Sequence, residues 1–81
     1  MEKFKTVKEF CDAVKSGKNV YWSDTDYIVR FDNYSNSHCD LYYIYCLGTK
    51  LRLNSIIVEY HNRSLPLSIS PEFQLSEYFV K

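Results

Sequence analysis

The spacing of hydrophobic positions predicts one helix near the start of the chain. Thr6 stands where an N-cap is expected, with Glu9 three residues later, and together they form a capping-box pattern. Gly17 stands where a helix commonly ends in a left-handed residue. These signals predict a helix from Val7 to Ser16. Its apolar positions recur at the spacing of one helical face: Val7, Phe10, Cys11 and Val14.

After the glycine the pattern changes to the alternation that is typical of strands. Asn19 to Trp22 and Tyr27 to Asp32 flank the turn-forming Ser23 to Asp26, which predicts a hairpin. The polar residues from Asn33 to Asp40 predict a long connection. Ser70 to Glu72 predicts a short helical turn, with serine as the cap and proline first. The remaining predicted strands are Leu41 to Leu47, Lys50 to Leu53 with Leu51 and Leu53 pointing inward, Ile56 to Tyr60, Leu65 to Ile69 at a sheet edge because of Pro66, and a final strand or tucked tail at Tyr78 to Val80.

These elements predict a single α+β domain. One N-terminal helix packs on a curved antiparallel sheet of five or six short strands, or on a partly open barrel, because its apolar face needs an apolar surface to cover. No interdomain linker and no internal repeat is visible. With 81 residues the chain builds one small core and has little room for an enclosed substrate cavity.

The composition of the chain argues against several classes of protein. Ten basic and ten acidic residues give a net charge of zero, which argues against a strongly basic nucleic-acid binder. The start of the chain lacks the apolar stretch of a secretory signal, and the longest apolar run is far below the ~20 residues of a membrane span. We therefore expect a soluble cytoplasmic protein, without membrane association, whose three cysteines are reduced.

The residue types for metal or thiol chemistry are present, but their spacing is unfavourable. His38, Cys39, Cys46 and His61 lack the paired spacing of zinc ligands. Cys39 lies between His38 and Asp40, but neighbouring side chains on a strand point to opposite faces, so they seldom converge on one nucleophile. No glycine-rich phosphate loop is present. We expect no metal, no cofactor and no catalytic residue, which makes the chain a non-enzymatic protein.

Tyrosine is the most informative residue type, with eight copies and one tryptophan. The strand from Leu41 to Leu47 carries tyrosine on both faces, so some of these rings must lie at the surface. Tyrosine, tryptophan and arginine are enriched at protein interfaces, although tyrosine also suits half-buried strands. Asn19 to Asp40 contains four acidic residues and one basic residue, which is either ordinary turn chemistry or an acidic patch for a basic partner. The predicted partner-binding residues are Trp22, Tyr42, Tyr43, Tyr45 and Arg52 as anchors, with Asp24, Asp26 and Asp32 as acidic contacts.

A small nucleic-acid-binding domain is the alternative. Curved sheets bind single strands through exposed aromatic rings flanked by basic residues. Tyr42, Tyr43 and Tyr45, with Lys50 and Arg52 across the turn, fit this arrangement loosely.

The first part of the chain resembles a group of small proteins encoded by phages and prophages, some of them anti-CRISPR proteins. The resemblance lies in a capped helix that leads through glycine into a first hairpin with a V-x-W strand. It implies a stoichiometric inhibitor that blocks a bacterial defence complex, a host protein or ribonucleoprotein such as a CRISPR effector, by occupying its surface. It implies no site residues. The residues that carry it are Val7-Lys8-Glu9-Phe10, Val14, Gly17, Val20-Tyr21-Trp22 and Tyr27-Ile28-Val29.

Overall fold

Residues 2–33, 38–62 and 64–81 are described in a computed structural model of the chain. Their regular structure comprises one α-helix, one short 3-10 helix and seven strands. None of these helices has the length and apolar character that a membrane crossing requires. In chain order the elements are β1 (Glu2–Lys3), α1 (Val7–Lys15), β2 (Val20–Trp22), β3 (Asp24–Asn33), β4 (Cys39–Cys46), β5 (Leu51–Tyr60), β6 (Ser68–Ile69), the 3-10 helix (Leu75–Glu77) and β7 (Tyr78–Val80).

Helix α1 begins and ends where the sequence predicts. The Oγ1 atom of Thr6 accepts a hydrogen bond from the N–H of Glu9 at 3.1 Å, which satisfies one of the unpaired amides of the first turn. At the other end Gly17 has a φ of +87°, the left-handed conformation that glycine adopts without strain. The helix buries the predicted stripe, including Phe10, Cys11 and Val14, against the sheet.

All strand pairs of the sheet are antiparallel, in the order β1-β7-β2-β3-β4-β5-β6. The sheet curls into a half-barrel around the helix, so the predicted α+β class with a curved sheet is confirmed. The described strands number seven, not five or six; the two-residue β1 has too few residues to show an alternating pattern. The C-terminal segment is a strand, and it lies between β1 and β2, so both ends of the chain pair with each other.

Strand β5 corrects the prediction for the second hairpin. Two separate strands with inward Leu51 and Leu53 were expected, but β5 is continuous, and these side chains are 60% and 39% exposed. The pairing with β4 shifts register twice, and each shift places an extra residue on β5. Each bulge disturbs the two-residue alternation and increases the local twist, which contributes to the curl of the sheet.

Three connections also differ from the sequence pattern. Ser23 alone makes the reversal between β2 and β3, with a φ of +66°, and Asp24 to Asp26 belong to β3 instead of a turn. The short helical turn lies at Leu75–Glu77, farther along the chain than the predicted Ser70 to Glu72. Residues 33 and 38–40 of the predicted long loop are described: Asn33 pairs with Asp40 as the strands extend into it, while residues 34–37 lie outside the described residues. Strand β6 lies at a sheet edge, as predicted.

The two sheet faces have different roles. The face toward α1 carries the buried cluster, which includes Val29, Tyr42, Ile44 and Tyr78. Residues that alternate with these point to the other side, which we call the outer face.

Candidate partner-binding face

The strand register places one row of side chains across six strands of the outer face. Residues that pair directly across antiparallel strands project from the same face. Lys3 pairs with Phe79 and Phe79 with Tyr21, and the row continues through the middle of the sheet to Arg52 on β5. We call this set the aromatic row; in order across the sheet its members are Lys3, Phe79, Tyr21, Ile28, Tyr45 and Arg52.

Two guanidinium groups lie over tyrosine rings on this face. The Cζ atom of Arg52 is 3.9 Å from the centroid of the Tyr43 ring, and Cζ of Arg30 is 4.8 Å from that of Tyr45. Asp32 accepts a hydrogen bond from Nη1 of Arg52 at 2.6 Å. A cation over an aromatic ring contributes about 0.5–1 kcal/mol at exposed sites, so these contacts hold both arginines in defined positions.

The far end of the aromatic row repeats this arrangement. The Nζ atom of Lys3 lies 5.7 Å from the centroid of Phe79 and donates a hydrogen bond to the carbonyl of Ser76. The rings of Phe79 and Tyr21 are 5.7 Å apart, at an interplanar angle of 33°. Phe79 is only 6% exposed, although it lies outside the core cluster, so the outer face has a packed apolar layer of its own.

Three of the described cations lie on this face: Lys3, Arg30 and Arg52. Asp32 lies on the same face and forms an ion pair with Arg52. Across the described parts of the chain, no carboxylate lies within ion-pair distance of Arg30. Arg30 can therefore meet an external negative group without breaking an ion pair of the described residues.

Four of the predicted partner-binding residues meet on the outer face: Asp32, Tyr43, Tyr45 and Arg52. Tyr43 is only 9% exposed, because Arg52 lies over its ring. The edge of the Tyr43 ring and the guanidinium group of Arg52 above this ring together form the surface that a partner would meet. Three of the described tyrosines share this face: Tyr21, Tyr43 and Tyr45.

The assignment of Tyr42 as a surface anchor is corrected. Tyr42 is 0% exposed, because the alternation of β4 turns it toward α1. Its hydroxyl donates a hydrogen bond to Oε1 of Glu59 at 2.9 Å, and Lys15 forms an ion pair with the same carboxylate. Burial raises the pKa of the Tyr42 hydroxyl well above its ordinary value. This tyrosine belongs to the core and to the helix contact.

Trp22, Asp24 and Asp26 lie away from the outer-face group. Trp22 is on the helix side of the sheet, where its ring meets that of Tyr27 edge-on, with centroids 5.3 Å apart. Both aspartates are exposed at the start of β3, and Oδ1 of Asp24 accepts a hydrogen bond from the N–H of Asp26. The predicted acidic patch is therefore divided, since Asp32 lies farther along the strand and pairs with Arg52.

Sequence reasoning missed several members of this face. The alternation of β3 was a signal for Arg30, since it opposes the face of Val29. No local signal could have placed Lys3, Tyr21 and Phe79 together, because their proximity depends on pairing between the two ends of the chain.

His38 and His61 lie next to each other, since the N–H of His61 donates a hydrogen bond to the carbonyl of His38 at 2.8 Å. Cys39 and Cys46 occupy opposite ends of β4, and the buried carboxylate of Asp40 lies 2.8 Å from Nε2 of His61. Burial raises the pKa of the Cys11 thiol to about 11, which keeps that thiol protonated. Among the described residues, no three metal-ligating side chains come together.

The chain matches no protein-family model, no curated protein and no solved structure.

Proposed function

We propose that this chain is a non-enzymatic inhibitor that binds a protein of a bacterial defence complex through the outer face of its sheet. The aromatic row and its stacked arginines carry this proposal. Tyrosine and arginine dominate interface hot spots, where rigid side chains lose little entropy on binding. Here Arg30 and Arg52 are already held against Tyr45 and Tyr43, so the surface is preorganised.

The class of target comes from the sequence. The layout of residues 7–29 resembles that of small phage proteins that include anti-CRISPR proteins. We infer that the protein is phage-derived, acts in the bacterial cytoplasm and occupies a surface of a CRISPR effector. Arg30, which forms no ion pair among the described residues, favours an acidic region of the protein part of that effector.

A phage-plaquing assay tests this proposal. Bacterial strains that each carry one active CRISPR system, with a spacer against the infecting phage, are compared with and without the expressed chain. We expect plaquing to recover in a strain whose effector is the target. Arg30→Ala should reduce this recovery at least tenfold, since a hot-spot residue contributes about 2 kcal/mol or more. Lys8→Ala, on the exposed side of α1, is the matched control and should retain it.

A direct binding measurement completes the test. The effector that responds is purified and mixed with the chain, and the complex is measured by size-exclusion chromatography and titration calorimetry. A stoichiometric complex with the wild type and with Lys8→Ala, weakened by Arg30→Ala, supports the proposal. Undiminished CRISPR interference in every strain, or equal binding of all three proteins, contradicts it.

Nucleic-acid binding is a second candidate, because cations lie next to aromatic rings on the outer face. Two observations favour a protein partner instead. The rings of Tyr43 and Tyr45 are covered by guanidinium groups, whereas base stacking needs an open ring face. The chain also has no net positive charge. Fluorescence anisotropy with labelled single-stranded and duplex DNA at low salt separates the candidates; a saturable rise that Arg30→Ala abolishes would support the nucleic-acid alternative.

A further inference from the structure

A small apolar pocket lies on the helix side of the sheet, away from the aromatic row. Its volume is about 120 Å³. The buried side chains of Ile44, Ile56 and Tyr78 belong to its lining, and the rings of Phe73 and Tyr78 stack with centroids 4.9 Å apart. The residues that line it are Trp22, Ile44, Leu53, Asn54, Ile56, Ser70, Glu72, Phe73 and Tyr78.

The floor of the pocket is formed by an aromatic residue of the core. Tyr78 is only 2% exposed, and its ring stacks on that of Phe73. An apolar group that enters the pocket would therefore pack on rigid rings and lose contact with water.

The surroundings of the pocket are acidic. Glu72 lines it, and Oε1 of Glu77 lies 3.5 Å from the indole nitrogen of Trp22, which also lines it. In the parts of the chain that are described, neither carboxylate forms an ion pair with a lysine or arginine. The charge that complements this opening is therefore positive.

We propose that this pocket receives one apolar side chain of a partner protein, with a lysine or arginine beside it that meets the carboxylates of Glu72 and Glu77. The volume suits such an occupant, since an apolar cavity of about 150 Å³ binds benzene. Trp22 forms a wall of the site, which gives this tryptophan a role separate from the outer face. The site does not depend on the proposed function, because it is defined by different residues.

The probe for this site is 2-phenylethylamine, which joins a ring to an ammonium group. It is titrated into the ¹⁵N-labelled protein while two-dimensional NMR spectra are recorded. We expect saturable shifts of the Trp22 indole N–H and of the amides of Ser70, Glu72 and Phe73. Two comparison compounds separate the contributions: 3-phenylpropanoate carries a ring with a negative charge, and ethylamine carries the ammonium group without a ring.

The three compounds should differ in a defined order. The ring with the ammonium group should bind about two- to fivefold more tightly than the ring with the carboxylate, which is the factor that a surface ion pair supplies. Ethylamine alone should produce no saturable shift. Glu72→Gln should reduce the preference for the ammonium compound while the protein keeps its fold, because Glu72 is exposed and makes no ion pair among the described residues.

Three results would overturn the proposal. The first is the absence of saturable shifts around the pocket with either ring compound. The second is equal affinity for both ring compounds, which would indicate a site for a neutral apolar small molecule. The third is an unchanged preference in Glu72→Gln. None of these results bears on the plaquing assay, so failure of this site and failure of the outer-face proposal can be told apart.

Discussion

The guanidinium group of Arg52 lies over the ring of Tyr43, with 3.9 Å between Cζ and the ring centroid, and bonds to Asp32 from that position. Tyr45 of the aromatic row pairs directly with Arg52 across β4 and β5, and Tyr43 is two residues away from Tyr45 on the same face. The side chain of Arg52 therefore reaches diagonally across the sheet, from its paired residue Tyr45 to the next ring on the same face.

Replacing Arg52 should cost a small, measurable amount of stability. Arg52→Ala removes a stacking contact and an exposed ion pair, and we expect the free energy of unfolding to fall by about 1 kcal/mol. The free energy of unfolding of Arg52→Lys should lie between those of the wild type and Arg52→Ala, since lysine keeps the charge but not the planar group. Urea denaturation measures both variants, with Lys8→Ala as a control that loses only a helix-surface pair. Equal stability of Arg52→Ala and the wild type would show that the stacked geometry does not contribute.

Tyr42 should act through the core and not through the partner. Tyr42→Phe removes only the hydroxyl that bonds to Glu59, and we expect a loss of about 0.5–1.5 kcal/mol in the free energy of unfolding. Tyr42→Ala should lose about 3–5 kcal/mol, because it leaves a large cavity. In the plaquing assay Tyr42→Phe should retain inhibition. Loss of inhibition in a Tyr42→Phe protein of normal stability would restore the surface assignment.

Stability should fall in alkaline solution. Burial raises the pKa of Cys11 from 9.0 to about 11, and raises that of Tyr78 from 10.0 to about 12. The unfolded chain then releases these protons at a lower pH than the folded chain does. Each group therefore stabilises the fold fully below its unfolded pKa, and this contribution is lost as pH rises, from 9 to 11 for Cys11 and from 10 to 12 for Tyr78.

The expected slope is a decrease in the free energy of unfolding of about 1.4 kcal/mol per pH unit for each group that titrates in full. Denaturation at pH 8, 9, 10 and 11 measures it. In Cys11→Ala the free energy of unfolding should fall less steeply between pH 9 and 10 than in the wild type, whatever the effect of the substitution on stability at pH 8. An unchanged slope in that variant would show that the thiol is not the group responsible.

Replacement by alanine should have opposite effects at an exposed and at a buried position of β5. Leu51 is mostly exposed, so Leu51→Ala should change stability by less than about 0.5 kcal/mol. Ile57 is buried opposite Tyr42, so Ile57→Ala should lose about 2–5 kcal/mol. Thermal denaturation compares the two variants. A large loss at Leu51 would contradict the described register.

The two glycines form a matched pair for backbone conformation. A Cβ atom at either Gly17 or Gly48 would meet no atom within 4 Å, so packing does not distinguish them. Only Gly17 has a positive φ. We expect Gly17→Ala to lose about 1–2 kcal/mol, and Gly48→Ala to be neutral or slightly stabilising. Equal effects at both positions would contradict the left-handed end of α1.

The sequence by itself determined the parts of this protein that depend on neighbours in the chain. The cap at Thr6, the buried stripe of α1 and the left-handed Gly17 are local signals, as are the alternating faces of β3 and the first half of β4. These signals fixed the α+β class and placed Tyr43 and Tyr45 on one face, together with Asp32 and Arg52 as candidates for the same site.

The tertiary structure decided what depends on distant pairing. The two bulges interrupt the alternation along β5, and the two leucines that were expected to point inward, Leu51 and Leu53, are exposed. The contact of Arg52 with Tyr43 depends on the pairing of β4 with β5. Pairing between the two ends of the chain added Phe79 and Tyr21 to the aromatic row. Tyr42 had an equal chance of facing either way until α1 covered one side of the sheet, since strand alternation defines two faces but only packing selects the one that is buried.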